Sequence, residues 1–232
     1  MPSEWLAHLE EHVPFFDKLN ERKGDVRERF LENLKVFVWE KVFIGAGGLE
    51  MTDEVKVVIA ATAVRLVQNL DLKIYDDLTE IVVYPYDYTH GDGDGMVLGE
   101  AHTWGTVVLS WPSVLAGLKN PEDGHDTATH EFAHVLDIAG GSFDGTPPLR
   151  SREDYGAWAK VLSVHYYNLQ KRKRKERKVL REYGATNEAE FFAVATESFF
   201  EKPKQMKEHT PELYEELKAF YGLDPAVLSQ SS

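Results

Sequence analysis

The chain has 232 residues, 43% of them hydrophobic and 28% charged, with a formal net charge of −13. That is enough chain for one domain with a sizeable core, and so acidic a surface disfavours a nucleic-acid backbone as partner. Cysteine is absent, so disulfides and thiolate metal sites are excluded, and any bound metal must use histidine and carboxylate.

The first third reads as helical. Ser3 is a candidate cap for a helix in which Trp5, Leu6, Leu9, Val13 and Phe16 recur at helical spacing. A second helix is expected from near Asp25 to near Trp39, with Phe30, Leu34, Phe37 and Val38 inward. Gly45 to Gly48 reads as a turn, and Thr52 followed by Asp53 and Glu54 opens a third helix to about Asn69. The charges spread through MPSEWLAHLEEHVPFF leave no apolar h-region, so no signal peptide is expected. The stretch VKVVIAATAVRLV is interrupted by Lys56 and Arg65 and is too short for a membrane span. Together these features point to a cytoplasmic protein.

The period then changes. TEIVVYPYDY is β-branched and aromatic and predicts a strand ending near Pro85. HGDGDG begins like a calcium loop with Asp92 and Asp94, but Met96 and Thr103 stand where further ligands belong. MVLGEAHTWGTVVLSW predicts two short strands, or one with a bulge near Gly105. From Asp126 the chain reads as helical again. One helix stops at Gly140-Gly141, one starts after Ser151 with Asp154 as capping partner, one runs from near Asn187 to about Phe200, and one follows Pro211. No Gly/Pro/Ser-rich linker divides the chain, so residues 1–232 are expected to form a single α+β domain with a helical part over about 1–72. The basic run KRKRKERK, Lys171 to Lys178, stands apart from the acidic remainder and reads first as a solvated segment.

The chemistry concentrates in His130-Glu131-Phe132-Ala133-His134. At about 100° per residue, His134 lies about 40° around a helix from His130, so both imidazoles can face one ion. Glu131 falls about 100° away, beside the ion, where a general base acting on a metal-activated water belongs. The flanking residues are mostly apolar or small, which implies a buried helix whose polar groups need partners. Asp137 shares the face of the histidines and fits a supporting role that orients one of them by hydrogen bond. A catalytic zinc takes three protein ligands. The third is sought among the carboxylates of EYGATNEAEFFAVATESFF, namely Glu188, Glu190 and Glu197, and spacing does not choose among them.

HEFAH with Asp137, EYGATNEAEFFAVATESFF, ELYEELKAFYGLDP, KVFIGAGGLEMTDEVKVVIAATAVRLVQNL and GTVVLSWPSVLAG together resemble the Mlc titration factor A family of bacterial zinc metallopeptidases, over about Trp5 to Pro225. The resemblance implies a zincin-like core of the gluzincin type, related to that of anthrax lethal factor, with a small mixed sheet and an HExxH active-site helix. It implies one Zn2+ per chain on His130, His134 and Glu190, with Glu131 as catalytic base. It also places Tyr183, seven residues before Glu190, at the site as an oxyanion donor, and leaves Glu197 with Asp137 as supporting carboxylates. The implied activity is an aminopeptidase-like hydrolysis of peptides. The implied partner is a glucose-responsive transcriptional repressor of the Mlc type. The alternative is a non-catalytic protein that binds such a regulator and keeps the zinc site for structure only.

Overall fold

Helix α6, Thr127–Ile138, carries the HEFAH motif and passes through two compact units of the chain. The computed structural model describes residues 1–20, 25–89, 96, 97 and 99–228. Asp92 and Asp94 lie outside these residues. The first unit comprises Met1–Pro121 and Asp126–Phe132, and the second Glu122–His125 and Ala133–Ser232.

In the first unit, α1 (Ser3–His12), α2 (Pro14–Asn20), α3 (Val26–Glu40) and α4 (Asp53–Leu66) accompany a four-stranded sheet. Ser3 is the first helical residue of α1 and not its cap, and Pro14 starts a new helix where one continuous helix was expected, because proline cannot donate into the preceding turn. Thr52 does cap α4, its hydroxyl accepting from the Val55 amide at 3.4 Å. Strand β1, Val42–Gly45, is hidden in the sequence by its short length and its position directly after α3. Strands β2 (Glu80–Tyr84) and β6 (Thr106–Ser110) form the centre of the sheet, and β5 (Gly99–His102) is its antiparallel edge, in the order β1-β2-β6-β5. Among the described residues, β5 pairs only with β6, Gly99 opposite Leu109 and His102 opposite Thr106. The stretch around Gly105 is therefore a hairpin turn and not a bulge in one strand. The pair β3 (Tyr88–Thr89) and β4 (Met96–Val97) stands separately.

Burial alternates along β2 and β6. Ile81, Val83, Val107 and Leu109 are fully buried, while Glu80, Val82, Tyr84, Thr106 and Val108 are half-buried. Phe132, on the first half of α6, packs edge-on against Phe37 at 6.0 Å and Tyr75 at 5.9 Å, and the Tyr75 hydroxyl donates to the Ala63 carbonyl. This aromatic cluster seats the N-terminal half of the motif helix.

Helix α5, Trp111–Lys119, was not expected from sequence; Ser110 caps it and shares Asp87 with Ser113. The second unit is helical: α7 (Asp154–Gln170), α8 (Arg174–Arg177), α9 (Glu188–Glu201), α10 (Pro203–His209), α11 (Pro211–Tyr221) and α12 (Pro225–Leu228). Its core is aromatic, with Trp158, Phe192 and Phe220 in mutual edge contact. No described helix is long and apolar enough to cross a membrane.

Replacing Phe132 by Ala removes a fully buried ring from its contacts with Phe37 and Tyr75, and is expected to destabilise the fold by about 3–5 kcal/mol. Urea denaturation of the variant beside the wild type measures the loss.

Candidate metal centre

Asp126 starts α6. Its carboxylate accepts from the Thr129 amide at 3.0 Å and the Thr129 hydroxyl at 2.6 Å, and its carbonyl accepts the His130 amide. The helix closes where Gly140 and Gly141 donate to the carbonyls of Asp137 and Ile138. Between these ends, His130 and His134 stand one turn apart on a single helix, both buried.

Helix α9 brings the carboxylate. Asn187 caps it, its side-chain oxygen accepting from the Glu190 amide at 2.9 Å. The Glu190 backbone is thus used by the cap while its side chain is used elsewhere: Glu190 Oε2 lies 3.4 Å from His134 Nε2. His130, His134 and Glu190 each offer a ligand atom, and the three atoms lie within 4.8 Å of one another. Metal–ligand bonds of about 2 Å in a tetrahedral site put donor atoms about 3.4 Å apart. The residues present therefore fit a divalent metal, and two imidazoles with one carboxylate make a donor set suited to a borderline cation.

The other predicted residues fall as follows. Asp137 is fully buried, and its Oδ2 accepts the Gly145 amide at 2.8 Å. Burial pushes its carboxyl up to about 6, against the opposing pull of hydrogen bonds from Gly145 and Thr146 and of the His134 charge. Its other oxygen, Oδ1, is buried with no hydrogen-bond partner among the described residues. Glu197 is buried two turns beyond Glu190 on α9 and pairs with the Arg181 guanidinium, whose Nε donates to the Gly124 carbonyl at 3.0 Å. Glu197 lies outside the His-His-Glu group. Tyr183 sits on a 3₁₀ turn, Glu182–Ala185, with 51% of its surface exposed and the Arg181 guanidinium 6.0 Å from its ring.

Three contacts were not foreseen from sequence. Phe143 lays its ring 5.0 Å from the His134 ring. Gly99, on edge strand β5, abuts the catalytic candidate: a β-carbon there would meet Glu131 Cγ at 2.6 Å and Oε1 at 2.8 Å. Glycine inside a strand pattern is itself a signal of close approach, and could have flagged the position. Gly145 is the third. It holds φ at +79°, its carbonyl accepts the Trp158 indole N–H at 3.0 Å, and a β-carbon would meet the Glu188 carbonyl oxygen at 2.5 Å.

Residues 1–222 match the sequence profile of the glucose-regulated metallo-peptidase M90 family. The chain belongs to that family. An uncharacterized protein of Synechocystis sp. is 35% identical over 240 residues, covering 98% of this chain and 86% of its own. Mlc titration factor A of Serratia proteamaculans is 29% identical over 233 residues, covering 94% of this chain and 87% of its own. Mlc titration factor A of Yersinia pestis is 27% identical over 240 residues, with 97% and 86% covered. The resemblance drawn from HEFAH and AEFFAVATESFF thus holds over most of the chain. M90 membership agrees with a metal-binding group built from the motif helix and a carboxylate helix.

Substituting His130, His134 or Glu190 by Ala is expected to abolish stoichiometric metal, while Glu197→Ala keeps the metal and loses stability because Arg181 is left without its buried partner. Metal analysis by mass spectrometry, with thermal melts, separates the two outcomes. Gly145→Ala is expected to weaken metal affinity, because a β-carbon 2.5 Å from the Glu188 carbonyl oxygen displaces the start of α9, the helix that carries Glu190. Competition with a chromogenic chelator reads that change.

Proposed function

We propose that this chain is a zinc-dependent peptidase of aminopeptidase-like preference, with His130, His134 and Glu190 as the metal ligands and Glu131 as general base. The observation that carries the reading is the convergence of two helix-borne imidazoles with a carboxylate from α9, while a separate acid, Glu131, remains on the motif helix beside them. Bound zinc supplies a Lewis acid that polarises a peptide carbonyl and makes water acidic enough to give up a proton near neutral pH.

The residues do the rest. Glu131 accepts the proton of the attacking water and returns it to the leaving amine. Its side chain is set by the glycine gap in β5, so its position follows from backbone packing. Strand β5 pairs on one side only among the described residues, and an extended peptide adding to the other side would run its backbone past Gly99 and Glu131. Tyr183 donates its phenol hydrogen to the oxyanion that develops on the carbonyl, a role supported by its exposure on a turn of the same unit as Glu190. Asp137 acts on the end of the motif helix by holding the Gly145 amide, in place of the hydrogen bond to a histidine expected from sequence, and Glu197 acts at one remove by holding Arg181.

The name Mlc titration factor A, borne by relatives at 27–29% identity, favours a second reading in which the chain binds a repressor of the Mlc type and the metal is structural. The two are separated by one variant. Glu131→Gln is expected to keep its zinc and lose hydrolysis of an aminopeptidase substrate panel by about 10²–10⁴-fold. Hydrolysis at the wild-type rate by this variant would end the catalytic reading. Absence of hydrolysis in zinc-loaded wild type would favour the binding reading.

A further inference from the structure

The run Lys171 to Lys178 takes no part in the proposed chemistry, and it is a built surface of the second unit. After α7 the chain turns at Arg172, where φ is +52°, a left-handed conformation that a non-glycine residue keeps only when its surroundings hold it. The Arg172 amide donates to the Leu169 carbonyl at 2.8 Å and the Lys173 amide to the Asn168 carbonyl at 3.0 Å, and α8 follows at once. The single acid of the run, Glu176, turns inward. It is 2% exposed, accepts from Asn168 Nδ2 at 3.0 Å and lies 3.1 Å from His165 Nδ1. Val179 and Leu180 are buried behind it.

This arrangement takes the one negative charge off the surface and leaves Lys171, Arg172, Lys173, Arg174, Lys175, Arg177 and Lys178 exposed. Of these seven, only Arg177 meets a carboxylate among the described residues, Glu182 at 3.0 Å. Like charges so close repel one another, and the anchoring is supplied by Glu176, Val179 and Leu180. Next to the cations, α7 exposes an apolar stripe of Val164 and Tyr167, 51% and 55% exposed, which continues into Lys171, whose ammonium lies 5.4 Å from the Tyr167 ring.

We propose that this surface, from Val164 to Lys178, is a docking platform for an acidic peptide segment with apolar side chains interleaved among its carboxylates. The cations match the carboxylates, and Val164 with Tyr167 matches the apolar positions. A nucleic-acid duplex would leave the apolar pair unmatched, and the acidity of the rest of the chain repels a long polyanion, whereas a short segment meets only the platform within a screening length. The inference is independent of the peptidase reading.

The test measures fluorescence anisotropy of a labelled Glu-Glu-Leu repeat peptide, and of a single-stranded oligothymidylate of equal charge, at low and at physiological salt. The peptide is expected to bind in a salt-dependent manner, and the combined Lys171→Glu, Arg174→Glu and Lys175→Glu variant to lose at least about tenfold in affinity. Tyr167→Ser is expected to weaken binding about threefold with the salt dependence unchanged. Glu176→Ala adds net positive charge yet is expected to bind more weakly, because the platform loses its anchor; circular dichroism confirms that each variant keeps its helices. Tighter binding by Glu176→Ala would show a diffuse charge effect and overturn the proposal. Tighter binding of the oligothymidylate than of the peptide, or no peptide binding at low salt, would overturn it as well.

Discussion

Gly145 is where the geometry of the second unit is decided. Its amide holds the Asp137 carboxylate of the motif helix, its carbonyl takes the Trp158 indole N–H of α7, and its missing side chain lets the Glu188 carbonyl at the start of α9 come close. One residue thus joins the end of the helix that carries His134 to the beginning of the helix that carries Glu190. A metal site needs its donors placed to within fractions of an ångström before the ion arrives. The 3.4 Å approach of His134 to Glu190 rests on this backbone node, and only in part on the two side chains themselves.

The supporting charges are arranged on the same logic. Glu197, Arg181 and the Gly124 carbonyl form a chain that ties the middle of α9 to the segment just before α6, and Arg181 also faces the Tyr183 ring. A buried ion pair of this kind adds little net stability over an apolar replacement but is strongly disruptive when one partner is removed. Its value here is placement. Asp137 differs, since burial raises its pKa while hydrogen bonds from the Gly145 and Thr146 amides oppose the rise.

Much of this was legible in the residues, and the failures have physical causes. The motif helix could be read because its polar pattern is tied to a helical repeat and its end to paired glycines. Strands β2 and β6 could be read because β-branched and aromatic residues cluster in them. Strand β1 and helices α5 and α10 were not foreseen: each is short and follows another element within a residue or two, too brief for its own periodicity to show. The choice of Glu190 over Glu197 was beyond spacing, because both lie on one side of α9; it depends on where Arg181 falls, which is a fact of tertiary structure. Gly99 was passed over because its meaning lies in an absence, the room left for Glu131.

That absence couples two things that a sequence keeps 32 positions apart. With Gly99 against Glu131, the edge of the sheet and the acid on the helix are mechanically one part: a strand displaced by even a bond length would carry the carboxylate with it or leave it without a wall. The free side of β5 among the described residues is therefore also the gauge of the acid's position. If a peptide seats on that edge, as proposed, it would stiffen the strand and the acid at once.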